Sequence, residues 1–334
     1  MNKTVKLAIV GATGNVGRTF LKVLEERDFP YHSLTCFASA KSAGTKVTCK
    51  GVEYTIQELK EDSFKGQGFD IALFSAGGDL SKIYAPLAAE AGAVVIDNSS
   101  AWRMDPEVPL VVPEVNAEAI FSHKGIIANP NCSTIQAVVA LKPLMDRYGL
   151  KRVVYSTYQA VSGSGVKGVT ELAEGLKGNI LTKAYPHPIH NNCLPQIDVF
   201  TDNGYTKEEM KMILETRKIL GHESLRVTAT TVRVPIFNCH SESVNVELEK
   251  PFVLEELVDL LKQSPGLVVM NDHTKLEYPL ASIADDTDPV YVGRIRRDES
   301  LESGVNLWIV ADNIRKGAAT NAVQIAEALV AGRQ

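Results

Sequence analysis

The sequence predicts an α/β protein with two domains: a Rossmann-type doubly wound parallel sheet, then an α+β domain with a mixed, largely antiparallel sheet. Two observations predict the first domain: buried apolar runs alternate with helical segments, and the first run ends in a glycine-rich turn. After Arg152, polar residues alternate with apolar or β-branched ones, and this alternation predicts the mixed sheet of the second domain. A chain of 334 residues fits two domains, which we place at 1–130 and 131–313. We expect the amphipathic segment 314–334 to pack back on the first domain as a helix.

Composition and charge exclude several classes of function. Hydrophobic residues make up 45% of the chain and charged residues 22%, which is typical of a soluble globular protein. A net charge of −5 without a run of Lys or Arg argues against nucleic-acid binding. The first apolar run ends at Gly11, too early for a signal peptide or a membrane span. Five cysteines without a CxxC pattern indicate reduced thiols and therefore a cytoplasmic protein.

The first element is a strand, Val5–Val10, followed by the turn Gly11–Gly17 and a helix from Arg18 to Arg27. This order is the context of a dinucleotide-binding motif, because glycine lets a pyrophosphate approach the helix N-terminus. The spacing is GxxGxxG rather than GxGxxG, and glycine turns after strands are also common without a ligand. The flanking strand and helix favour the nucleotide site.

The second strand, Ser33–Phe37, leads into a short polar segment that contains Ser39, Lys41 and Ser42. An NAD-binding domain usually has Asp or Glu near this point, where the carboxylate binds the ribose 2′-hydroxyl. Two hydroxyls and an ammonium suit a 2′-phosphate instead, so the segment favours NADP. An ordinary polar surface loop is the alternative interpretation.

Two further strands end in polar turns. Phe69–Phe74 is followed by Ser75-Ala76-Gly77-Gly78, which we expect to give a second backbone contact to the cofactor, and then by a helix. Val94–Asp97 leads to Arg103, which lies beyond the carboxyl end of the strand, where ligands bind in such sheets. Its guanidinium can bind phosphate or carboxylate in a bidentate manner. A surface arginine without a ligand explains this position equally well.

The segment Asn129–Gln136 contains the strongest candidate for chemistry. It follows a short strand, Ile126–Ala128, and precedes a helical apolar pattern, so Cys132 lies at or beside a helix N-terminus. The helix dipole there favours negative charge and lowers the pKa of a thiol. Cys132 is therefore a candidate nucleophile, and a small buried hydrophobic residue is the alternative.

The second half of the chain combines strands with helices. We predict strands at Arg152–Gln159, Thr228–Phe237, Ser243–Leu248 and Val305–Val310, and helices at Val166–Lys177, Lys207–Leu220 and Val253–Gln263. A loop contains His187, His190 and Cys193, a spacing that invites a metal site. No obvious fourth ligand is near in the sequence and two prolines stiffen the segment, so we interpret it as structural and expect no metal.

Six motifs together carry a resemblance to a known family. They are GATGNVG at 11–17, SSAWR at 99–103, NPNCST at 129–134, TYQAVSGSG at 157–165, ETRKI at 215–219, and RVP…CHS between 233 and 241. In this order they make the chain resemble the aspartate-semialdehyde dehydrogenases over essentially its whole length. The resemblance implies reversible conversion of 4-phospho-L-aspartate and NADPH to L-aspartate 4-semialdehyde, phosphate and NADP⁺. That step belongs to the biosynthesis of lysine, diaminopimelate, methionine, threonine and isoleucine.

The resemblance also implies the catalytic residues. Cys132 corresponds to the nucleophile that forms a thioester with the acyl group. His240 corresponds to the acid/base residue, and Gln159 to the residue that orients the intermediate. A homodimer through the second domain is implied as well, with a homotetramer as the alternative.

Substrate contacts follow from the same resemblance. Arg233 corresponds to the residue that binds the α-carboxylate, and Glu215 to the partner of the substrate ammonium. Lys218, Arg103 and Asn131 correspond to phosphate-binding positions. From spacing alone, Glu215 and Lys218 would be an exposed helix ion pair.

The expected cofactor contacts lie in both domains. They are Gly11, Thr13, Gly14, Asn15, Val16, Ser39, Lys41, Ser42, Ser75, Gly77, Ser162, Gly163 and Asn313. Related chains often have arginine in place of Lys41, which keeps the charge but lacks the planar fork.

Two alternative functions are weighed against this one. N-acetyl-γ-glutamyl-phosphate reductase shares the fold and the cysteine chemistry, but it usually has Gly before the nucleophile and an aromatic residue after it. Asn131 and Ser133 flank Cys132 here, and an acetylated amine has no use for Glu215. A non-catalytic nucleotide-binding homologue should have lost a member of the catalytic set, and this chain keeps all of them.

Overall fold

The computed structural model describes residues 4–332. Within these residues it forms two compact units: the first comprises residues 4–131 together with 318–332, and the second comprises Cys132–Gly317. The division therefore falls inside the NPNCST motif, and the C-terminal segment belongs with the N-terminal unit. Within residues 4–332, no helix has both the length and the apolar character that a membrane span requires.

The first unit is a parallel sheet with helices. Its strands are β1 (Val5–Val10), β2 (Tyr31–Ala38), β3 (Lys46–Cys49), β4 (Val52–Thr55), β5 (Gln57–Glu58), β6 (Ile71–Phe74), β7 (Val94–Asp97) and β8 (Ile126–Ala128). Its helices are α1 (Asn15–Glu26), α2 (Gly78–Glu90), α3 (Pro113–Asn116) and the C-terminal α9 (Thr320–Gly332). Among the described residues the main sheet has the order β5-β2-β1-β6-β7-β8 and is parallel throughout. This confirms the doubly wound sheet, whose strand order changes direction between β1 and β6.

Burial explains why these segments form the central strands. Every residue of β6 and β7 is buried, as expected for strands that helices cover on both faces. Helix α1 packs on the sheet through Phe20, Leu21 and Leu24, which recur at helical spacing. Helix α9 contributes Ala322, Val323, Ile325, Ala326 and Leu329 to the same apolar core. The C-terminal segment therefore completes the core of the first unit.

The second unit is built on a mixed sheet. Its strands are β9 (Leu150–Gln159), β10 (Arg226–Arg233), β11 (His240–Leu248), β12 (Leu267–Val269), β13 (Val290–Asp298) and β14 (Gly304–Ala311). Its helices are α4 (Cys132–Tyr148), α5 (Gly165–Leu176), α6 (Lys207–Leu220), α7 (Leu254–Gln263) and α8 (Ala281–Ala284). In the described part of the chain the order is β10-β9-β11-β14-β13-β12, with parallel pairs at both ends and antiparallel pairs in the middle. The predicted mixed, largely antiparallel sheet is confirmed.

Strand boundaries near the RVP…CHS motif differ from the prediction. β10 ends at Arg233 rather than at Phe237, since Pro235 has no N–H with which to continue the ladder. β11 begins at His240, three residues before the predicted start at Ser243. The sequence pattern does not reveal β13 because it is interrupted: the register shifts between Gly293 and Arg296.

The two faces of the second sheet have different surroundings. On one face, β11 buries His240, Glu242 and Val244. Helices α4 and α6 lie on this face, because Gln136 of α4 bonds to β11 and Thr216 of α6 bonds to β9. On the other face, the rings of Tyr158 and Trp308 lie 5.5 Å apart and Tyr158 is 38% exposed.

Candidate active site and cofactor-binding turns

The turn after β1 admits only glycine at two positions. A Cβ at Gly11 would lie 2.3 Å from the carbonyl oxygen of Ser75, and one at Gly17 would lie 2.1 Å from the carbonyl oxygen of Gly11. Gly11 also has φ +84°, which other residues rarely adopt. The turn therefore packs closely against the end of β6, and α1 begins directly after it.

This turn has the features of a pyrophosphate site. It lies at the carboxyl ends of β1 and β6, where the strand order changes direction and where ligands bind in such sheets. Gly14 occupies the N-cap position of α1, and within the described residues no side chain caps the helix. The backbone N–H groups of the first turn, which includes Asn15 and Val16, are thus available to an anion. Thr13 is half-buried beside them.

The next two strands end in turns that suit the rest of a dinucleotide. Ser39 occupies the N-cap position of a short 3₁₀ turn, Ala40–Ser42, in which Lys41 is exposed and Ser42 is half-buried. Two hydroxyls and an ammonium therefore lie together beyond β2. Beyond β6, the Ser75 N–H donates to Val10, and Gly77 has φ +85° at the start of α2. The residues present fit NADP.

Arg103 lies at the carboxyl ends of β7 and β8. Its Nε donates to the carbonyl of Asn129 and its Nη2 donates to the carbonyl of Asn98, each at 3.0 Å. Arg103 is only 8% exposed, so it is not an ordinary surface arginine. Asn131, two residues after Asn129, is also buried. The structure thus brings Arg103 close to the Asn129–Asn131 segment within the first unit.

In the second unit, Cys132 is the first residue of α4 and is half-buried. Its thiol therefore lies in the field of the helix N-terminus, which stabilises a thiolate. A Cβ at Gly317 would lie 2.9 Å from the Cys132 Cβ, so the chain passes the nucleophile closely. One turn along the same face of α4, Gln136 Nε2 donates to the carbonyl of His240 at 3.2 Å. The helix face that carries Cys132 thus meets the start of β11.

The His240 ring is buried and its hydrogen bonding defines a tautomer. Its Nδ1 accepts the backbone N–H of Ala160 at 3.0 Å, so the ring proton of the neutral form lies on Nε2. Nε2 has no hydrogen-bond partner among the described residues. Burial, followed by the Arg233 guanidinium, holds the pKa of His240 well below its usual value. Cys239, just before it, has φ +69°, a conformation that fixes the entry into β11.

Arg233 and His240 converge on the same turn. Arg233 Nη1 donates to the carbonyl of Ala160 at 2.6 Å, so a single residue, Ala160, anchors both side chains through its backbone. A Cβ at Gly163 would lie 3.0 Å from Arg233 Nη1 and 3.3 Å from His240 Nε2. Arg233 is 5% exposed, and in residues 4–332 its Nε has no hydrogen-bond partner. A buried donor in this position suits a carboxylate ligand.

Gln159 is the last residue of β9, the strand beside β10. The oxygen and the nitrogen of its side-chain amide each make a hydrogen bond. Thr157 Oγ1 donates to its Oε1 at 2.9 Å, and its Nε2 donates to Glu208 Oε1 at 3.2 Å. Because a carboxylate only accepts, these contacts fix which way the amide faces. Ser162 lies in the turn after β9, and Asn313, just after β14, donates from Nδ2 to Ser162 Oγ at 3.0 Å. Most of the second-unit residues of the sequence-based set therefore come together, and the site roles of the other two stay predictions.

These two residues, Glu215 and Lys218, lie further along α6. The residue of α6 that contacts Gln159 is Glu208, and Glu215 is seven residues, about 10 Å, beyond it. Glu215 is also only 1% exposed, so it is not part of an exposed ion pair. Glu208 is thus the α6 carboxylate beside Gln159, and it also contacts Lys211 at 3.2 Å, a lysine that bonds to Asp198 as well. The substrate-binding roles of Glu215 and Lys218 stay predictions.

The loop with His187, His190 and Cys193 shows no convergence of ligand atoms of the kind a metal needs, within the part of the chain that the structure describes. Among the described residues, such a group is formed instead by Cys239, Asp285 and Asp312. The Asp312 carboxylate there accepts backbone N–H groups from Asp286 and two further residues, so three of its roughly four lone-pair positions are already used.

Comparisons with known proteins agree with this geometry. Residues 6–123 match the family model described as semialdehyde dehydrogenase, NAD binding domain, and residues 141–316 match the semialdehyde dehydrogenase, dimerisation domain. The chain is 59% identical to the aspartate-semialdehyde dehydrogenase of Aquifex aeolicus, over 97% of this chain and 98% of that protein. It is 50% identical to the one of Bacillus subtilis, over 98% of both chains.

Solved structures of aspartate-semialdehyde dehydrogenases also match this chain. The chain superposes with a TM-score of 0.94, at 50% identity, on aspartate semialdehyde dehydrogenase II of Vibrio cholerae complexed with ASA, covering 98% of each chain. The enzyme of Candida albicans with NADP gives a TM-score of 0.78 at 26% identity, again covering 98% of each chain.

Proposed function

This chain belongs to the aspartate-semialdehyde dehydrogenase family, and on that premise we propose that it reduces 4-phospho-L-aspartate to L-aspartate 4-semialdehyde, reversibly, with NADPH. The observation that carries the proposal is the cluster in the second unit. There, Arg233 and His240 share the Ala160 backbone, and the Cys132 face of α4 meets the same strand end. The first unit is proposed as the NADP-binding domain and the second as the catalytic and dimerisation domain.

The cofactor-binding residues of the first unit follow from its turns. We assign the pyrophosphate to the Gly11–Gly17 turn and the 2′-phosphate to Ser39, Lys41 and Ser42. When bound, the cofactor supplies the hydride that reduces the acyl group. Ser75 and Gly77 provide backbone contacts beside that turn, while Ser162, Gly163 and Asn313 are assigned contacts in the second unit.

Cys132 is the proposed nucleophile. Its thiolate attacks the acyl carbon of 4-phospho-L-aspartate, the bond to the phosphate oxygen breaks, and a thioester and inorganic phosphate result. The helix N-terminus lowers the energy of the thiolate and provides backbone N–H groups for the oxyanion that forms on the acyl oxygen. Gln159, whose amide orientation is fixed by Thr157 and Glu208, is the side-chain donor assigned to the intermediate.

His240 is proposed to work from its Nε2. A neutral imidazole with Nε2–H can donate a hydrogen bond to the acyl oxygen as negative charge develops there. A protonated ring would carry N–H on Nδ1 as well, opposite the Ala160 N–H, which opposes the charged form. The acid/base role that the family resemblance implies stays a prediction, and it would require this backbone contact to be released.

The substrate's charged groups are assigned to buried partners. Arg233, whose Nε lacks a partner among the described residues, is assigned the α-carboxylate. The ammonium has two candidate partners on α6: Glu215, which the family resemblance implies, and Glu208, which contacts Gln159. Either carboxylate disfavours N-acetyl-γ-glutamyl phosphate, whose amine is acylated. The phosphate-binding role that the family resemblance implies for Lys218 in the second unit, and for Arg103 and Asn131 in the first unit, stays a prediction.

The exposed face of the second sheet is assigned to a second copy of the chain. It carries two shallow cavities of about 330 and 500 Å³, both lined by Trp308, Pro279 and Leu280. Apolar lining of this kind is typical of a buried interface, and the family model names this region a dimerisation domain. We therefore propose a homodimer through this face.

The five cysteines form no disulfide within the described chain, which favours the cytoplasm.

The test is phosphate-dependent reduction of NADP⁺ with L-aspartate 4-semialdehyde. Wild type should be active, and Cys132→Ser should lose about 10³-fold or more in kcat while NADP⁺ binding is kept. Cys193→Ser is the matched control, since this cysteine is exposed and lies outside the cluster, and it should behave as wild type.

Two results would contradict the proposal. Activity with N-acetylglutamate semialdehyde but not with L-aspartate 4-semialdehyde would keep the mechanism and replace the substrate. Inactivity with both aldehydes, in a protein that binds NADP⁺, would favour a non-catalytic nucleotide-binding homologue.

A further inference from the structure

A loop side chain packs on the guanidinium of Arg233. Tyr185 lies between α5 and α6, in a segment without regular secondary structure, yet it is 9% exposed. The Arg233 Cζ lies 6.0 Å from the centre of its ring. The Tyr185 hydroxyl donates to Ser164 Oγ at 2.9 Å, in the turn that also contains Gly163. The ring therefore closes one side of the space that Arg233 and His240 border.

Three contacts hold this loop in place. The Glu171 carboxylate of α5 accepts the backbone N–H groups of Lys183 and Ala184, at 2.9 and 2.7 Å, just before Tyr185. After Tyr185, the backbone of Leu194 exchanges two hydrogen bonds of 2.9 Å with that of Arg233. Tyr185 also belongs to a small apolar cluster together with Val161, Leu172, Ile189 and Leu194. The ring thus has a fixed position relative to Arg233.

The tip of the ring is fixed as closely as the loop. A Cβ at Gly168 would lie 2.5 Å from the Tyr185 hydroxyl, so the ring reaches the backbone of α5. On the other side, Arg233 Nη1 is held by the Ala160 carbonyl. A guanidinium that is bonded at one end and packed on an aromatic ring keeps a single plane. Its Nε, which has no hydrogen-bond partner among residues 4–332, is then a donor available to a ligand.

We propose that Tyr185 is a positioning residue for Arg233: its ring holds the guanidinium in the plane that receives the substrate's α-carboxylate and so selects substrates that carry this group. This rests on the proposed function, in which Arg233 binds that carboxylate. Tyr185 acts through Arg233 and takes no part in bond making or breaking. Glu171 contributes indirectly, by fastening the loop that carries the ring.

The experiment is a double-mutant cycle on KM for L-aspartate 4-semialdehyde. Tyr185→Leu removes the ring and should raise KM about tenfold, the size of a partly buried cation–π contact, with kcat within about threefold of wild type. Tyr185→Phe keeps the ring and is the matched control, which should stay within about threefold in both constants. In an Arg233→Lys background, Tyr185→Leu should raise KM by no more than about twofold, because the planar partner is gone.

A second measurement does not depend on turnover. In protein labelled with ¹⁵N-arginine, the Arg233 Nε–H resonance is identified by its loss in Arg233→Lys. It should be shielded by the ring in wild type and in Tyr185→Phe, and move downfield in Tyr185→Leu. If wild type has no activity with the aldehyde while this resonance behaves as expected, the proposed function fails and the positioning of Arg233 stands.

Two outcomes would overturn the proposal. If Tyr185→Leu raised KM by the same factor in the wild-type and in the Arg233→Lys background, its effect would be a general loss of structure. If KM and the Arg233 resonance were both unchanged in Tyr185→Leu, the ring would have no influence on the guanidinium.

Discussion

The two functional regions of the molecule are built from different parts of the chain. In the first unit the turn at Gly11–Gly17 offers backbone N–H groups, and its shape is set by the absence of side chains. In the second unit the cluster consists of buried side chains, Gln159, Arg233 and His240, each at the end of a different strand. The first region is thus specified by shape, and the second by charge and hydrogen bonding.

This difference predicts opposite sensitivities. In the cofactor turn, a methyl group should be harmful although it changes no charge, because it would overlap the backbone. In the catalytic cluster, a change of charge should be harmful although it changes no shape, because buried polar groups depend on their partners. Substitutions can test both halves of this contrast, and the largest effect is expected in the second unit.

Glu208→Gln changes charge with almost no change in shape. We expect it to raise KM for L-aspartate 4-semialdehyde about 10- to 100-fold, because a charged hydrogen bond to the substrate ammonium is lost. Glu215→Gln, on the same buried face of α6, is the matched comparison, and the variant with the larger increase in KM identifies the partner of the ammonium. Steady-state kinetics with both variants gives the comparison.

The reverse result would restore the sequence-based assignment. A large increase in KM for Glu215→Gln, with Glu208→Gln close to wild type, would place the ammonium near Glu215. It would also mean that the Glu208–Gln159 contact only orients the amide.

Gly17→Ala changes shape without charge. The new Cβ would lie 2.1 Å from the Gly11 carbonyl oxygen, so the turn must move, and we expect NADPH binding to weaken about tenfold or more. Gly78→Ala, at the start of α2, is the control, since a Cβ there meets nothing within 4 Å. Fluorescence titration with NADPH measures both, and equal affinities in the two variants would show that the turn is not specified by shape.

The sequence predicts the first region better than the second, for a physical reason. The glycine turn is contiguous, so strand, turn and helix can be read in one segment of the chain. The second region joins residues from three strand ends, and only the family resemblance indicated that Gln159, Arg233 and His240 belong together. Their shared anchor, Ala160, contributes a backbone N–H and carbonyl, which no residue type reveals.

Glu208 shows why one part of the site is hard to predict. An acidic residue in the first turn of a helix is expected from the helix dipole alone. Its neighbour Glu209 does form a capping box with Thr206. Sequence therefore offers an adequate local reason for both carboxylates, and only the contact with Gln159 separates the two. The sequence also could not place Tyr185 beside Arg233, because the loop that carries Tyr185 has no periodic pattern.

Glu242→Gln tests whether an isosteric substitution is tolerated at a buried carboxyl group that has no hydrogen-bond partner among the described residues. Among the described residues neither Glu242 oxygen has a hydrogen-bond partner, and burial, reinforced by Glu208, raises its pKa well above the usual value. The folded protein therefore keeps this proton while the unfolded chain releases it, so the native state loses stability as pH rises above about 4.5, at up to about 1.4 kcal/mol per pH unit. Gln does not titrate, so the variant should unfold at a higher temperature than wild type at about pH 7.5 and at a similar temperature near pH 4.5. Activity should stay within about threefold, and a variant less stable than wild type at the higher pH would mean that the carboxylate is ionised and paired.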